Sequence, residues 1–130
     1  ITPSVPFAER RIIIMYDDLY CKVFVDTDMD YEKLFALLIN FINGKKEAVN
    51  YVITEWCDIS VQKNKEYNVK QYLLDSTDFL YWKYYLDIEP HNIEESQYIE
   101  NISNLLSCLR RCCKDVIIAC DFEDEVNNMM

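Results

Sequence analysis

A change of residue period near the start of the chain constrains its fold more than any other feature. Between Leu19 and Asp26 the period is two. Leu19, Cys21, Val23 and Val25 fall on one side of an extended backbone, and Tyr20, Lys22, Phe24 and Asp26 on the other. That is the pattern of a half-buried strand. Asp26-Thr27-Asp28-Met29-Asp30 then supplies side chains suited to capping a helix. From there Tyr31, Leu34, Phe35, Leu38, Phe41 and Ile42 recur at helical spacing, and Asn43-Gly44 suits a helix end.

Both periods return further along. Ala48 to Gln62 reads as one long strand with Val49, Tyr51, Ile53, Cys57, Ile59 and Val61 on one face, interrupted by Glu55. Residues 62–66 read as a turn, and the segment up to Asp78 carries no clear period. Phe79 to Ile88 reads as a third strand with Leu80, Trp82, Tyr84, Leu86 and Ile88 inward, ended by Pro90. Glu94 to Lys114 reads as a second helix, capped from around Asn92. Its stripe is Ile99, Ile102, Leu106, Leu109 and Cys113, widened by Tyr98, Leu105 and Cys112. Val116 to Glu123 reads as the last strand. The order strand, helix, strand, strand, helix, strand predicts an α+β fold of the ferredoxin-like, split βαβ type (βαββαβ). In it two helices cover an antiparallel sheet. The first and third strands are expected at its centre, the second and last at its edges.

A chain of 130 residues favours one domain and buries a substantial core. Residues 1–14, ITPSVPFAERRIII, stand apart because two prolines in the first six positions disfavour an opening helix. They read as an N-terminal extension or arm, with 15–130 forming a single acidic α+β domain. No secretory pattern opens the chain and no apolar run is long enough for a membrane helix, so a cytoplasmic protein is expected. The six cysteines (Cys21, Cys57, Cys108, Cys112, Cys113 and Cys120) fall within apolar patterns and read as free thiols of the core.

The formal charge is −10, from 13 basic and 23 acidic residues spread along the whole length. Such a surface repels phosphate backbones, so direct nucleic-acid binding is not expected. It attracts a basic protein and orients the encounter.

Motifs for catalysis or metal binding lack their companions. Asp26, Asp28 and Asp30 occupy the first, third and fifth places of a calcium loop, but Tyr31 stands where glycine is needed and Leu37 where a bidentate glutamate is needed. Helix capping is the better reading. Cys108, Cys112 and Cys113 lie within one regular helix, and Cys112 and Cys113 diverge by about 100° around its axis. That suits packing better than a zinc site. His91, the only histidine, follows Pro90 and reads as an exposed loop residue. No metal, cofactor or catalytic group is expected, and the chain is not read as an enzyme. The strand-borne acids remain. In ACDFEDE, residues 119–125, alternation sends Cys120 and Phe122 to the core and Asp121 and Glu123 outward.

The segments LYCKVFVDTDMDYEKLFALL, FLYWKYYLDIEP and VIIACDFEDEV together resemble bacterial immunity proteins of polymorphic or contact-dependent toxin systems. The resemblance spans roughly residues 15–125. It implies a cytosolic protein that binds a cognate toxin domain, such as a basic nuclease, and blocks it. Candidate contacts are exposed acids beside aromatics: Asp87 and Glu89 near Tyr85, Asp121 with Glu123, and Glu55 with Trp56 and Asp58. The alternative is a regulatory module of the same fold that binds a small ligand. Either reading is compatible with a homodimer.

Overall fold

The computed structural model describes residues 16–129; the segment read as an N-terminal arm lies outside them. The chain forms an α+β fold in which an antiparallel sheet is flanked by helices. In chain order the elements are β1 (Cys21–Asp26), α1 (Tyr31–Ile42), β2 (Lys45–Ala48), β3 (Tyr51–Ile53) and β4 (Cys57–Lys63). Then come α2 (Val69–Leu74), a 3₁₀ turn (Phe79–Tyr81), β5 (Tyr84–Pro90), α3 (Glu95–Cys112), β6 (Asp115–Ala119) and α4 (Glu123–Met129). The six strands lie in the order β2-β3-β4-β5-β1-β6, every neighbouring pair antiparallel.

The first change of period becomes structure as expected. Asp30 caps α1 by accepting from Lys33 N–H at 2.9 Å, and Leu34, Phe35, Leu38 and Ile42 face the core. Asn43 closes the helix in the left-handed region, at φ 54°. Gly44 follows with an ordinary φ, but a Cβ there would lie 2.4 Å from Val52 Cγ1. The glycine serves close approach and the asparagine serves the turn.

The expected long strand from Ala48 to Gln62 is instead three strands. Val49 and Asn50 turn the chain between β2 and β3. Thr54 makes the next turn, its Oγ1 accepting from Trp56 N–H at 3.1 Å and Cys57 N–H at 2.9 Å. The turns also change which residues face inward. β3 buries Val52, opposite Ile59, while Tyr51 and Ile53 stay half-buried and Val49 is exposed.

Other expectations change as well. Phe79–Tyr81 is a 3₁₀ turn capped by Asp78, not strand, and it leaves Leu80 exposed. The segment without a clear period forms α2, which contributes no buried residue; Leu73 and Leu74 are 77% and 81% exposed. At the end of the chain, β6 stops at Ala119, and Glu123 begins α4 rather than ending a strand. Glu123, Asp124 and Glu125 fill the first turn of α4, where the helix dipole favours acids. Phe122 is buried as expected.

In α3 the helix starts at Glu95 with Glu94 as N-cap, within the capping region expected around Asn92. Tyr98, Ile99, Ile102, Leu105, Leu106, Cys108 and Leu109 are buried, whereas Cys112 is exposed and Cys113 half-buried, so the stripe ends one turn early. The core lies between α1, α3 and one face of the sheet, built from Val23, Val25, Ile59, Val61, Leu86 and Ile88.

Candidate functional site on the open sheet face

Among the described residues, no long helix lies over the other face of the sheet. Register decides what it displays. Asp58 pairs with Glu89, Ser60 with Asp87 and Gln62 with Tyr85 across β4 and β5. Lys22 pairs with Asp87 and Phe24 with Tyr85 across β1 and β5. Alternate residues of these strands are buried, so all of these side chains share the side opposite the core.

One end of this face is roofed. Phe79 of the 3₁₀ turn packs on Phe24 with ring centroids 4.9 Å apart, and Tyr72 of α2 donates to Asp26 at 3.1 and 3.2 Å. At the edge of the roof a groove of about 300 Å³ runs between Leu80 and Tyr81 above and Lys22, Phe24 and Tyr85 below. The Lys22 ammonium lies 4.1 Å from the Tyr85 ring centroid, a cation–π contact, and not on the carboxylate of Asp87 opposite it.

The other end is open and acidic. Tyr20 donates to Asp87. Asp58 is held from two sides: Tyr51 donates to Oδ2 at 2.6 Å, and His91 Nε2 lies 2.6 Å from Oδ1. The backbone N–H of His91 donates to Trp56 O at 2.9 Å, which fixes the residue after Pro90. His91 is therefore part of a network on the sheet, not a free loop residue. Glu89 is exposed, yet desolvation, with Asp18, Asp87 and Asp58 close by, raises its carboxyl above the ordinary value. The bond to Asp58 likewise raises the Tyr51 hydroxyl. Among the described residues, none of Asp18, Asp87 and Glu89 pairs with a lysine or arginine.

Four of the eight expected contact residues thus meet: Asp58, Tyr85, Asp87 and Glu89. The others do not join them. Glu55 is an exposed turn residue, and Trp56 turns its ring edge to Tyr98 at 5.8 Å, against the helix-covered side. Asp121 is exposed in the turn after β6, and Glu123 accepts from Cys120 N–H at 3.4 Å in a local contact. Sequence reasoning missed Asp18, Tyr20, Tyr51 and His91, which reach the site through cross-strand register. The apparent calcium loop separates into three roles: Asp26 accepts from Tyr72, Asp28 pairs with Lys114 at 3.0 Å, and Asp30 caps α1. Among the described residues no group of histidine, cysteine or acid side chains is arranged to hold a metal ion.

On the core side, where β4 ends beside the start of β5, lies a second groove, of about 370 Å³, lined by Tyr31, Tyr67 and Tyr84 with Lys63, Lys83, Asp30 and Glu32. Lys63 stands 5.2 Å from the Tyr31 ring centroid, and Lys83 5.5 Å from that of Tyr84. No helix of the described residues is long and apolar enough to cross a membrane. Neither a protein-family model, nor a curated protein, nor a solved structure matches this chain.

Proposed function

We propose that this chain is an immunity-type inhibitor that binds a basic bacterial toxin domain through the open, acidic end of its sheet. The observation that supports this reading is the crowding of Asp18, Asp58, Asp87 and Glu89, with His91, among the described residues, the only base bonded to them. Cations from a partner relieve that repulsion, and Tyr20, Tyr51 and Tyr85 beside the acids offer broad, rigid contact area. The overall charge of −10 steers a basic partner toward the chain and keeps nucleic acid away. Six free thiols support a reducing, cytoplasmic setting.

The same proposal takes β1, α1, β4, β5, α3 and β6 as a ferredoxin-like core, with β2 and β3 added after α1. The strand order β4-β5-β1-β6 and its antiparallel pairings support that assignment.

The experiment identifies the genes that flank this one and coexpresses the chain with any toxin domain they encode. Growth rescue, and a complex of the purified proteins that weakens in Asp87→Lys/Glu89→Lys, is the expected result. No rescue and no complex overturns the proposal. The groove between Tyr31, Tyr67 and Tyr84 favours a second reading, a regulatory module for a small aromatic ligand. Calorimetry with aromatic carboxylates, repeated on Lys63→Ala/Lys83→Ala, separates the two.

A further inference from the structure

Three of the six thiols converge beneath the N-terminal half of α3. β1 and β6 pair with Val23 opposite Ile118 and Lys22 opposite Ala119, so the next step of the same register sets Cys21 opposite Cys120. Both take the helix-covered face, Cys21 in line with Val23 and Val25, Cys120 in line with Val116 and Ile118. Cys120 and Tyr98 lie beside the Cys21 thiol, and Cys57 stands near it. Cys21 and Cys57 are fully buried, whereas Cys120 is half-buried, so Cys120 is the member of the trio that a small oxidant reaches. Directly opposed residues of antiparallel strands stand roughly 4.5–5.5 Å apart at Cα. That lies within the roughly 4.4–6.8 Å that a disulfide spans.

We propose that Cys120 and Cys21 form an oxidation site, in which a peroxide oxidises Cys120 and Cys21 then closes a disulfide. In the first step Cys120 Sγ attacks one peroxide oxygen. The S–O bond forms, the O–O bond breaks, and the departing hydroxide leaves as water with the thiol proton. In the second step Cys21 Sγ attacks Cys120 Sγ. The S–S bond forms, the S–O bond breaks, and hydroxide again leaves as water with the Cys21 proton. Two thiols lose two electrons and two protons, and one peroxide becomes two waters.

The neighbouring Cys120 and burial hold the Cys21 thiol well above its ordinary pKa. The disulfide joins β1 to the turn that carries Asp121, across nearly the whole described chain. This site does not depend on what the open sheet face binds.

The test exposes the reduced full chain to hydrogen peroxide, alkylates the remaining thiols with N-ethylmaleimide and maps unreduced peptides by mass spectrometry. The expected result is one linked pair, Cys21 with Cys120. A melting temperature higher by roughly 10 °C, reversed by dithiothreitol, should accompany it. Cys57→Ser and Cys112→Ser should keep the link, and Cys120→Ser should lose it. If Cys21 remains alkylatable after prolonged oxidation, or if the link joins Cys120 to Cys57 or Cys108 to Cys112 instead, the proposal fails. The wild-type peptide map decides the matter even if a buried-cysteine variant does not fold.

Discussion

Leu86 and Tyr85 are neighbours in β5, yet they belong to two different surfaces. Leu86 is fully buried among Val23, Val61 and the helices, while Tyr85 lies half-buried on the open face beneath the Lys22 ammonium. The same contrast holds for Ile88 against Asp87 and for Ile59 against Asp58. One face carries apolar side chains that water does not reach. The other carries carboxylates, tyrosines and one histidine. The strands are held from the core side, so the open face is free to carry like charges that oppose folding.

The largest effect should come from breaking the covered face. Leu86→Ala should destabilise the chain by about 3 kcal/mol, through lost burial and the cavity left behind. Tyr85→Ala should lower stability by less than about 1.5 kcal/mol, since it removes mainly a partly exposed ring and its cation–π contact. Urea melts of the two variants measure the difference directly. Equal losses would mean that the open face also carries the fold.

Charge reversal asks the converse. Asp87→Lys with Glu89→Lys should change stability by less than about 1 kcal/mol, because relief of repulsion with Asp18 and Asp58 offsets the lost hydrogen bond from Tyr20. Association with a basic partner at low salt should slow by at least about tenfold. Stopped-flow binding across a salt series reads this. An unchanged rate with a collapsed fold would assign these acids to structure.

A smaller effect tests the network within the open face. His91→Ala should cost about 1 kcal/mol, the usual net value of one side-chain hydrogen bond. In an Asp58→Ala background the same change should cost close to nothing, because Asp58 Oδ1 is the acceptor that His91 meets. Additive losses in the double-mutant cycle would place the value of His91 in its backbone bond to Trp56 instead.

The contrast between the two faces also explains what the sequence made legible. β1 and α1 follow from periodicity because each keeps a single period over its whole length and ends in a recognisable cap, Asp30 or Asn43. Ala48 to Gln62 misleads because its turns use Val49-Asn50 and Thr54-Glu55-Trp56 instead of glycine or proline. Ile53 then appears in phase with Cys57 across a turn that breaks the strand. ACDFEDE misleads by coincidence: Phe122 is buried as alternation demands, but by the turn into α4. In the candidate site, parity alone aligned Tyr85, Asp87 and Glu89. Bringing Asp58, Tyr51, Tyr20 and His91 to them required the β3–β4, β4–β5 and β1–β5 pairings, which no local signal encodes.

The smallest effect is the most specific to the open face. Desolvation, with Asp18, Asp87 and Asp58 near, holds the Glu89 carboxyl above its ordinary value of 4.5. The folded chain therefore binds this proton more tightly than the unfolded chain does. Its contribution to stability is fully present below pH 4.5 and is lost as pH rises through the folded value. At neutral pH the ionised group opposes folding. Glu89→Gln should accordingly stabilise the chain at pH 7 by a few tenths of a kcal/mol at most, roughly, because solvent screens an exposed group. The gain should shrink as pH falls to 4.5 and below, where the wild-type residue is also neutral, and it should shrink at high salt. Thermal melts of the two proteins across that pH range supply the measurement. A gain independent of both pH and salt would trace to side-chain packing, and the repulsion among these four acids would then have no measurable weight in the fold.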